Sequence, residues 1–116
     1  MRTNCSHVVV ENFFEPGILY LLMKKPSYGY EIQKALRSDC ICEMNIGNLY
    51  RCLSRMQKHG YIARESAKSE IGPQRYSYTI TTEGKAYLAT WIKSLKKQKK
   101  VISLLVTNYQ KIVCKK

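Results

Sequence analysis

Asn45-Ile-Gly-Asn-Leu-Tyr-Arg-Cys-Leu-Ser-Arg-Met-Gln-Lys-His-Gly60 is the stretch that decides how the rest of the chain is read. At ~100° per residue it puts Ile46, Leu49, Leu53 and Met56 on one side of a helix. Asn48, Arg51, Arg55 and Lys58 land on the opposite side. Asn45 stands where an N-cap belongs and Gly60 where a C′ glycine ends a helix. Gly47 lets the backbone come close to a surface. One face is built to pack, and the other carries an amide and three cations. Such a helix suits a DNA major groove, where arginine reads guanine and asparagine reads adenine. Taken alone, the same pattern more often marks a surface helix with a solvated basic face. The decision rests on its neighbours.

Working outward toward the N-terminus, Ser27 is placed to cap a preceding helix from Tyr28 to about Ser38, with Ile32, Ala35 and Leu36 inward. A loop from Asp39 to Met44 then joins two helices as a helix-turn-helix with a longer than minimal connection. Tyr28 and Tyr30 can donate to phosphates or simply pack. Before them, Asn12-Phe-Phe-Glu opens an apolar helix with a capping-box-like signal, and Phe14, Ile18, Leu21 and Leu22 form its stripe. A helix apolar nearly all round is expected to be buried on more than one side. Residues 1–10 carry no clear pattern, with Val8-Val9-Val10 open to reading as a short strand or an arm.

Beyond Gly60 the period changes from 3.6 to 2. Tyr61–Ser66 and Gln74–Ile80 read as partner strands, with Tyr76, Tyr78 and Ile80 on one face and Arg75, Ser77 and Thr79 on the other. A hairpin directly after such a helix is the wing of a winged helix-turn-helix, with Lys68 and Arg75 as its phosphate or minor-groove contacts. Its bland counterpart is an ordinary hairpin with solvated charges, and Glu65 and Glu70 temper the potential there.

Thr81 can cap a last helix running unbroken to Val113. Its apolar residues keep a seven-residue repeat. Leu88, Leu95, Ile102 and Tyr109 hold one position, Trp91, Leu105 and Ile112 the position three later, and Ile92, Val106 and Val113 widen the seam. Only Gln98 interrupts it. A stripe this long exceeds what a domain of this size can cover, so a second copy is expected across it. The division is therefore residues 1–81 as the winged helix-turn-helix and 82–116 as a dimerisation helix. The fold class is mainly α with a β wing.

The totals agree. Among 116 residues, 20 Lys and Arg face 8 Asp and Glu, a net charge of +12, with the segment from Glu83 onward contributing +8. That imbalance implies a polyanionic partner, most often nucleic acid and less often an anionic membrane surface, and charge alone does not choose between them. The Asn45–Gly60 helix favours double-stranded DNA. No segment reaches the ~18 apolar residues of a membrane span, and the N-terminus lacks the layout of a signal peptide. Five cysteines in no secreted framework point to reduced thiols and a cytoplasmic setting. Catalysis finds no footing, because two histidines, no nucleophile–base set and no phosphate loop are present, and nothing calls for a cofactor. The sharper rival is a thiol or metal sensor built on Cys40, Cys42 and Cys52 around the reading helix, although three cysteines lack a fourth ligand. A non-specific architectural DNA binder is another alternative.

In its motifs the chain resembles the PadR-like family of bacterial winged-helix transcriptional regulators, from about Phe13 to the C-terminus. The resemblance is carried by Ile18-Leu-Tyr-Leu-Leu, Pro26-Ser-Tyr-Gly-Tyr-Glu-Ile, Gly47-Asn-Leu-Tyr-Arg-Cys-Leu-Ser-Arg-Met, Gly60-Tyr-Ile, Gly72-Pro-Gln-Arg-Tyr-Ser-Tyr-Thr-Ile and Thr81-Thr-Glu-Gly. Each is short, and their order and spacing together are specific. It implies a homodimer made by the last helix with help from the first, repression at operators of inverted symmetry, and release of DNA on a small-molecule or stress signal. By position it puts Asn48, Tyr50 and Arg51 on the recognition helix, Tyr28 and Tyr30 on the support helix, and Gln74 and Arg75 on the wing. Phe13, Phe14, Leu88, Trp91, Ile92, Leu95, Ile102, Leu105 and Tyr109 are then the dimer residues, with Phe13, Phe14 and Trp91 nearest any effector. Two departures stand out. Many members carry Thr or Ser where Asn48 stands, so base preference does not transfer. The family's drug-stacking tryptophan falls where this chain has Leu95, with Trp91 one turn earlier, so a multidrug pocket does not transfer either.

Overall fold

The computed structural model describes residues 14–39, 44–67 and 75–114. The elements run α1 (Phe14–Lys24), β1 (Ser27–Tyr28), α2 (Gly29–Ser38), α3 (Ile46–Lys58), β2 (Ile62–Ala67), β3 (Arg75–Ile80) and α4 (Thr82–Val113). The strands form one antiparallel sheet in the order β1-β3-β2. This is a winged helix-turn-helix with a long terminal helix, as the periodicities imply.

α1 is the central helix. Ile18, Leu19, Leu21 and Leu22 are buried, and α2, α4 and β3 all pack on it. Ile32 and Leu36 of α2, Leu49, Leu53 and Met56 of α3, Ile62 and Tyr78 of the sheet and Leu88 of α4 complete one core. Ile46, expected on the packing side of α3, is instead 40% exposed as the first residue of the helix, and the buried row begins at Leu49.

The pairing of β2 with β3 runs from Ile62 opposite Ile80 to Ala67 opposite Arg75. Tyr76, Tyr78 and Ile80 therefore share a face, as the alternation implies. β1 was not foreseen, and it changes the start of α2. Ser27 pairs with Tyr78 and Tyr28 with Ser77. Ser27 is buried and its hydroxyl donates to the Lys25 carbonyl at 3.3 Å, so the N-cap is Tyr28, whose N–H donates to Glu31 Oε1 at 2.9 Å. Ser27, expected as the cap, is held in the sheet instead.

α4 begins where three polar groups meet. Thr81 Oγ1 accepts from the Gly84 N–H at 3.0 Å and donates to the Gly60 carbonyl at 2.6 Å. That ties the end of α3 to the start of α4. Gly84 is buried against the Tyr61 carbonyl and Ile80, where a Cβ would collide with backbone. The boundary expected at 81/82 thus falls at a helix cap, and the first two turns of α4 pack with the winged helix. Beyond Leu95 the helix runs clear of the body, giving a molecule 69 Å long and 33 Å across.

Candidate nucleic-acid interface

α3 presents the two faces its sequence sets. Leu49, Cys52, Leu53 and Met56 point inward and are buried, while Asn48, Tyr50, Arg51, Arg55 and Lys58 are exposed. Asn45 Oδ1 accepts from the Asn48 N–H at 2.8 Å, satisfying one of the orphan donors that begin any helix. At the other end Gly60 takes φ +83°, a left-handed conformation that lets the chain leave the helix and enter β2. On the exposed face the Arg51 guanidinium donates to the Asn48 side-chain oxygen one turn back. The two residues expected to read bases form a single unit. Lys58 stands in the last turn, where the helix dipole favours a cation.

Arg55 is placed differently from expectation. Its Nη2 lies 3.6 Å from Glu15 Oε2 of α1 and 3.8 Å from Cys52 Sγ, so the residue expected to hold phosphate is paired with a carboxylate of its own chain. Its side chain keeps 51% of its exposure, against 19% for Glu15. In sequence Glu15 reads as the carboxylate of a capping-box-like signal, and nothing there points to Arg55. The pair spans forty residues, a separation that carries no periodic signal.

Tyr28, Tyr30 and Tyr50 converge with Arg64, Tyr76 and Tyr78 around an open niche of about 390 Å³. Gly29 is its floor, where a Cβ would collide with the Tyr50 ring, and this lets the starts of α2 and α3 lie close. The Arg64 guanidinium lies over the Tyr76 ring, 4.1 Å from its centroid, and the residue stands opposite Tyr78 in the sheet. Burial pushes the Tyr78 phenol above its ordinary value, while the Arg64 hydrogen bond and charge pull against that rise. Arg64 was overlooked in sequence. The strand alternation holds the signal, since Arg64 shares a face with Ile62 and stands opposite Tyr78.

Of the wing residues, Arg75 lies in β3 opposite Ala67, and Lys68 and Gln74 fall outside the described residues. Phe14 is half-buried and lines a cavity of about 480 Å³ with Met44, Asn48, Arg51 and Arg55. Trp91 packs edge-on to Tyr87, with ring centroids 6.5 Å apart, and Tyr87 stacks flat on Tyr61 at 4.0 Å. Phe13, the third residue expected near an effector, lies outside the described residues. Leu88, expected in the dimer seam, is 7% exposed within its own core, and Trp91 and Leu95 are half-buried. Ile92, Ile102, Leu105 and Tyr109 are exposed.

Cys52, one of three thiols in the sensor alternative, is 2% exposed and donates to Met56 Sδ at 3.7 Å as part of the core. Cys40 and Cys42 lie outside the described residues. Among the described residues no cluster of three His, Cys, Asp or Glu side chains is arranged to hold a metal, and no helix is long and apolar enough to cross a membrane.

The model of the transcriptional regulator PadR-like family matches residues 18–90, from α1 into the second turn and beyond of α4. The chain belongs to the PadR-like family. This PadR-like chain is similar to a transcriptional regulator from Clostridium thermocellum, with 31% identity, a TM-score of 0.75, and coverage of 85% of this chain and 99% of that one. A PadR family transcription regulator from hypervirulent Clostridium difficile is 29% identical, covering 82% and 99% of the two chains at a TM-score of 0.74. PadR of Bacillus subtilis, solved in complex with operator DNA, shares the fold at 23% identity and a TM-score of 0.63, covering 68% of this chain and 46% of that one. Membership makes this a DNA-binding transcription regulator, not an enzyme.

Proposed function

We propose that the chain is a homodimeric repressor that occupies an operator of inverted symmetry, with one α3 in each of two successive major grooves, about 34 Å apart. The observation that carries this reading is the exposed face of α3. Asn48, Arg51 and Lys58 stand clear of the core on a helix whose other face buries Leu49, Cys52, Leu53 and Met56. In this reading Asn48 and Arg51 read bases. Tyr28, Tyr30, Lys58, Lys68, Gln74 and Arg75 hold phosphates, Tyr50 lies alongside, and Arg55 joins them once it leaves Glu15.

The dimer reading is supported by α4 beyond Leu95. Val101, Ile102, Leu104, Leu105, Val106, Tyr109, Ile112 and Val113 are all exposed, Leu105 at 69% and Ile112 at 74%. A single subunit leaves so much apolar side chain in water only when another surface covers it. A second α4 carries the matching stripe. The operator complex of Bacillus subtilis PadR supports DNA as the partner. Relief of repression by a small molecule bound near Phe13, Phe14 and Trp91 completes the reading, and requires the dimer to bring those residues together.

Selection of bound sequences from a random duplex pool tests this directly. The expected product is an inverted repeat whose half-sites are about one helical turn apart, bound by two subunits in sedimentation at micromolar concentration. A lone subunit that holds every oligonucleotide equally would overturn it.

A further inference from the structure

We propose that the niche between α2, α3 and the sheet seats one phosphate of the DNA backbone, with Arg64 as its anchor. This rests on the reading of α3 as the groove-entering helix and adds a binding residue that neither the motifs nor the recognition-helix pattern supplies.

The argument starts from the strand. Along β2 the even positions face the helices. Ile62 is buried there, and Arg64 follows on the same face, at the point where the core ends and solvent begins. A cation at the margin of a core is normally free to swing outward. Arg64 is held, because its guanidinium lies over the Tyr76 ring, 4.1 Å from the centroid, and the residue stands opposite the buried Tyr78 in the sheet. A guanidinium has five N–H donors in a fixed fork lying in its plane, so an aromatic ring beneath it leaves the fork able to grip an acceptor. Holding it in advance lowers the conformational cost of that grip.

The lining sets the chemistry of the occupant. Tyr28, Tyr30, Tyr50, Tyr76 and Tyr78 bring phenol groups, Arg64 brings the charge, and among the described residues no carboxylate lines the niche. Phenols and a guanidinium together offer donors to a planar or tetrahedral oxyanion. The position selects the source. Tyr50 precedes Arg51 on α3, Tyr30 lies in the first turn of α2, and Tyr76 belongs to the wing, so the niche sits where these three elements meet. A backbone phosphate flanking the groove entered by α3 falls between recognition helix and wing.

Fluorescence anisotropy over a salt series, on the full chain with the selected operator and with an unrelated duplex, tests the assignment. Arg64→Gln is expected to weaken both duplexes by a similar factor, roughly tenfold, and to flatten the slope of log K against log salt by about one. Arg64→Lys keeps the charge but not the planar stack, and is expected to keep the slope while losing a few-fold in affinity. The Lys variant carries the test if the Gln variant does not fold. Wild-type binding with an Arg64→Gln slope equal to wild type overturns the seat and leaves the regulator intact. A wild-type chain that holds no duplex overturns the function itself. Saturable binding of inorganic phosphate that depends on Arg64, with duplex affinity untouched by Arg64→Gln, would move the seat to a free anion and overturn the DNA assignment.

Discussion

The hydroxyl of Tyr87 donates to Glu15 Oε1 at 2.7 Å, joining the long helix to the central one across 72 residues of sequence. The other oxygen of the same carboxylate faces Arg55 of α3 at 3.6 Å. One side chain therefore touches both the helix that carries the exposed apolar stripe and the helix that carries the exposed cations. The pair with Arg55 is long and half-exposed, so its stabilising effect stays below ~1 kcal/mol. Its effect on DNA is larger, because a guanidinium held by a carboxylate is withheld from phosphate. Glu15→Gln removes the charge while its amide oxygen still accepts from Tyr87. We expect Glu15→Gln to tighten binding to all duplexes by a few-fold and to steepen the salt slope by about one, measured by anisotropy.

Tyr87 also sets a limit at alkaline pH. Burial, then the hydrogen bond to Glu15, raises its phenol above the ordinary value of 10.0, and burial does the same to Tyr78. A phenol with a raised folded value keeps its proton in the folded chain after the unfolded chain has lost it. The stabilisation is thus fully present below pH 10 and is lost as pH climbs through the raised values. Melting temperature should hold up to about pH 10 and fall above it. In Tyr87→Phe the fall should be shallower. The same variant loses one net hydrogen bond, about 1 kcal/mol, and should melt some 4–8 °C lower at neutral pH.

Two glycines make opposite demands. A Cβ on Gly84 meets the Tyr61 carbonyl and Ile80, and backbone cannot step aside. Gly84→Ala should therefore destabilise by about 3 kcal/mol, read from the denaturant midpoint. A Cβ on Gly29 meets only the far end of the Tyr50 side chain, which can rotate. Gly29→Ala should cost under about 1 kcal/mol, yet displace Tyr50 from the niche and weaken DNA binding. A calorimetric scan beside an anisotropy titration separates the two effects.

Much of this arrangement is legible in the sequence, for a reason that particular residues make plain. The inward row Leu49, Leu53 and Met56 and the outward row Asn48, Arg51, Arg55 and Lys58 are local patterns, and helix geometry alone converts them into faces. Asn45 and Thr81 cap their helices through contacts three residues away, equally local. What was missed is long-range. β1 is two residues long, too short for any period, and exists because Tyr78 pairs with Ser27. The Glu15–Arg55 pair and the tyrosine niche depend on elements meeting in space. Leu88 shows a subtler failure. The seven-residue repeat correctly identifies its face as apolar, but a repeat cannot say what covers that face, and here Leu88 is buried in the core of its own subunit, on a helix that packs against α1.

Asn48 and Arg51 should not behave as independent readers. The Arg51 guanidinium bonds the Asn48 side-chain oxygen, so removing either frees the other to change rotamer. Arg51→Ala should lower discrimination between the selected operator and an unrelated duplex. Asn48→Ala should lower it at more than one base position, since Arg51 loses its support. The double variant should lose less than the two single losses added together, by 0.5 kcal/mol or more, measured as a thermodynamic cycle of operator affinities.

The distal half of α4 carries the oligomeric claim and can be broken without touching the core. Leu105 is exposed and stands ten residues beyond Leu95, the last half-buried residue of the helix, so it contributes little to the fold of a single subunit. Leu105→Glu leaves the winged helix intact but places a charge in the middle of the stripe a second copy would cover, where an unpaired carboxylate is costly to bury. Sedimentation should change from two subunits to one. Circular dichroism should retain the helix signal of residues 14–95, because those elements have their own core. Operator affinity should fall by far more than affinity for a single half-site, since joining two half-sites makes the second contact intramolecular. Equal losses on both ligands would mean that α4 acts within one subunit and not between two.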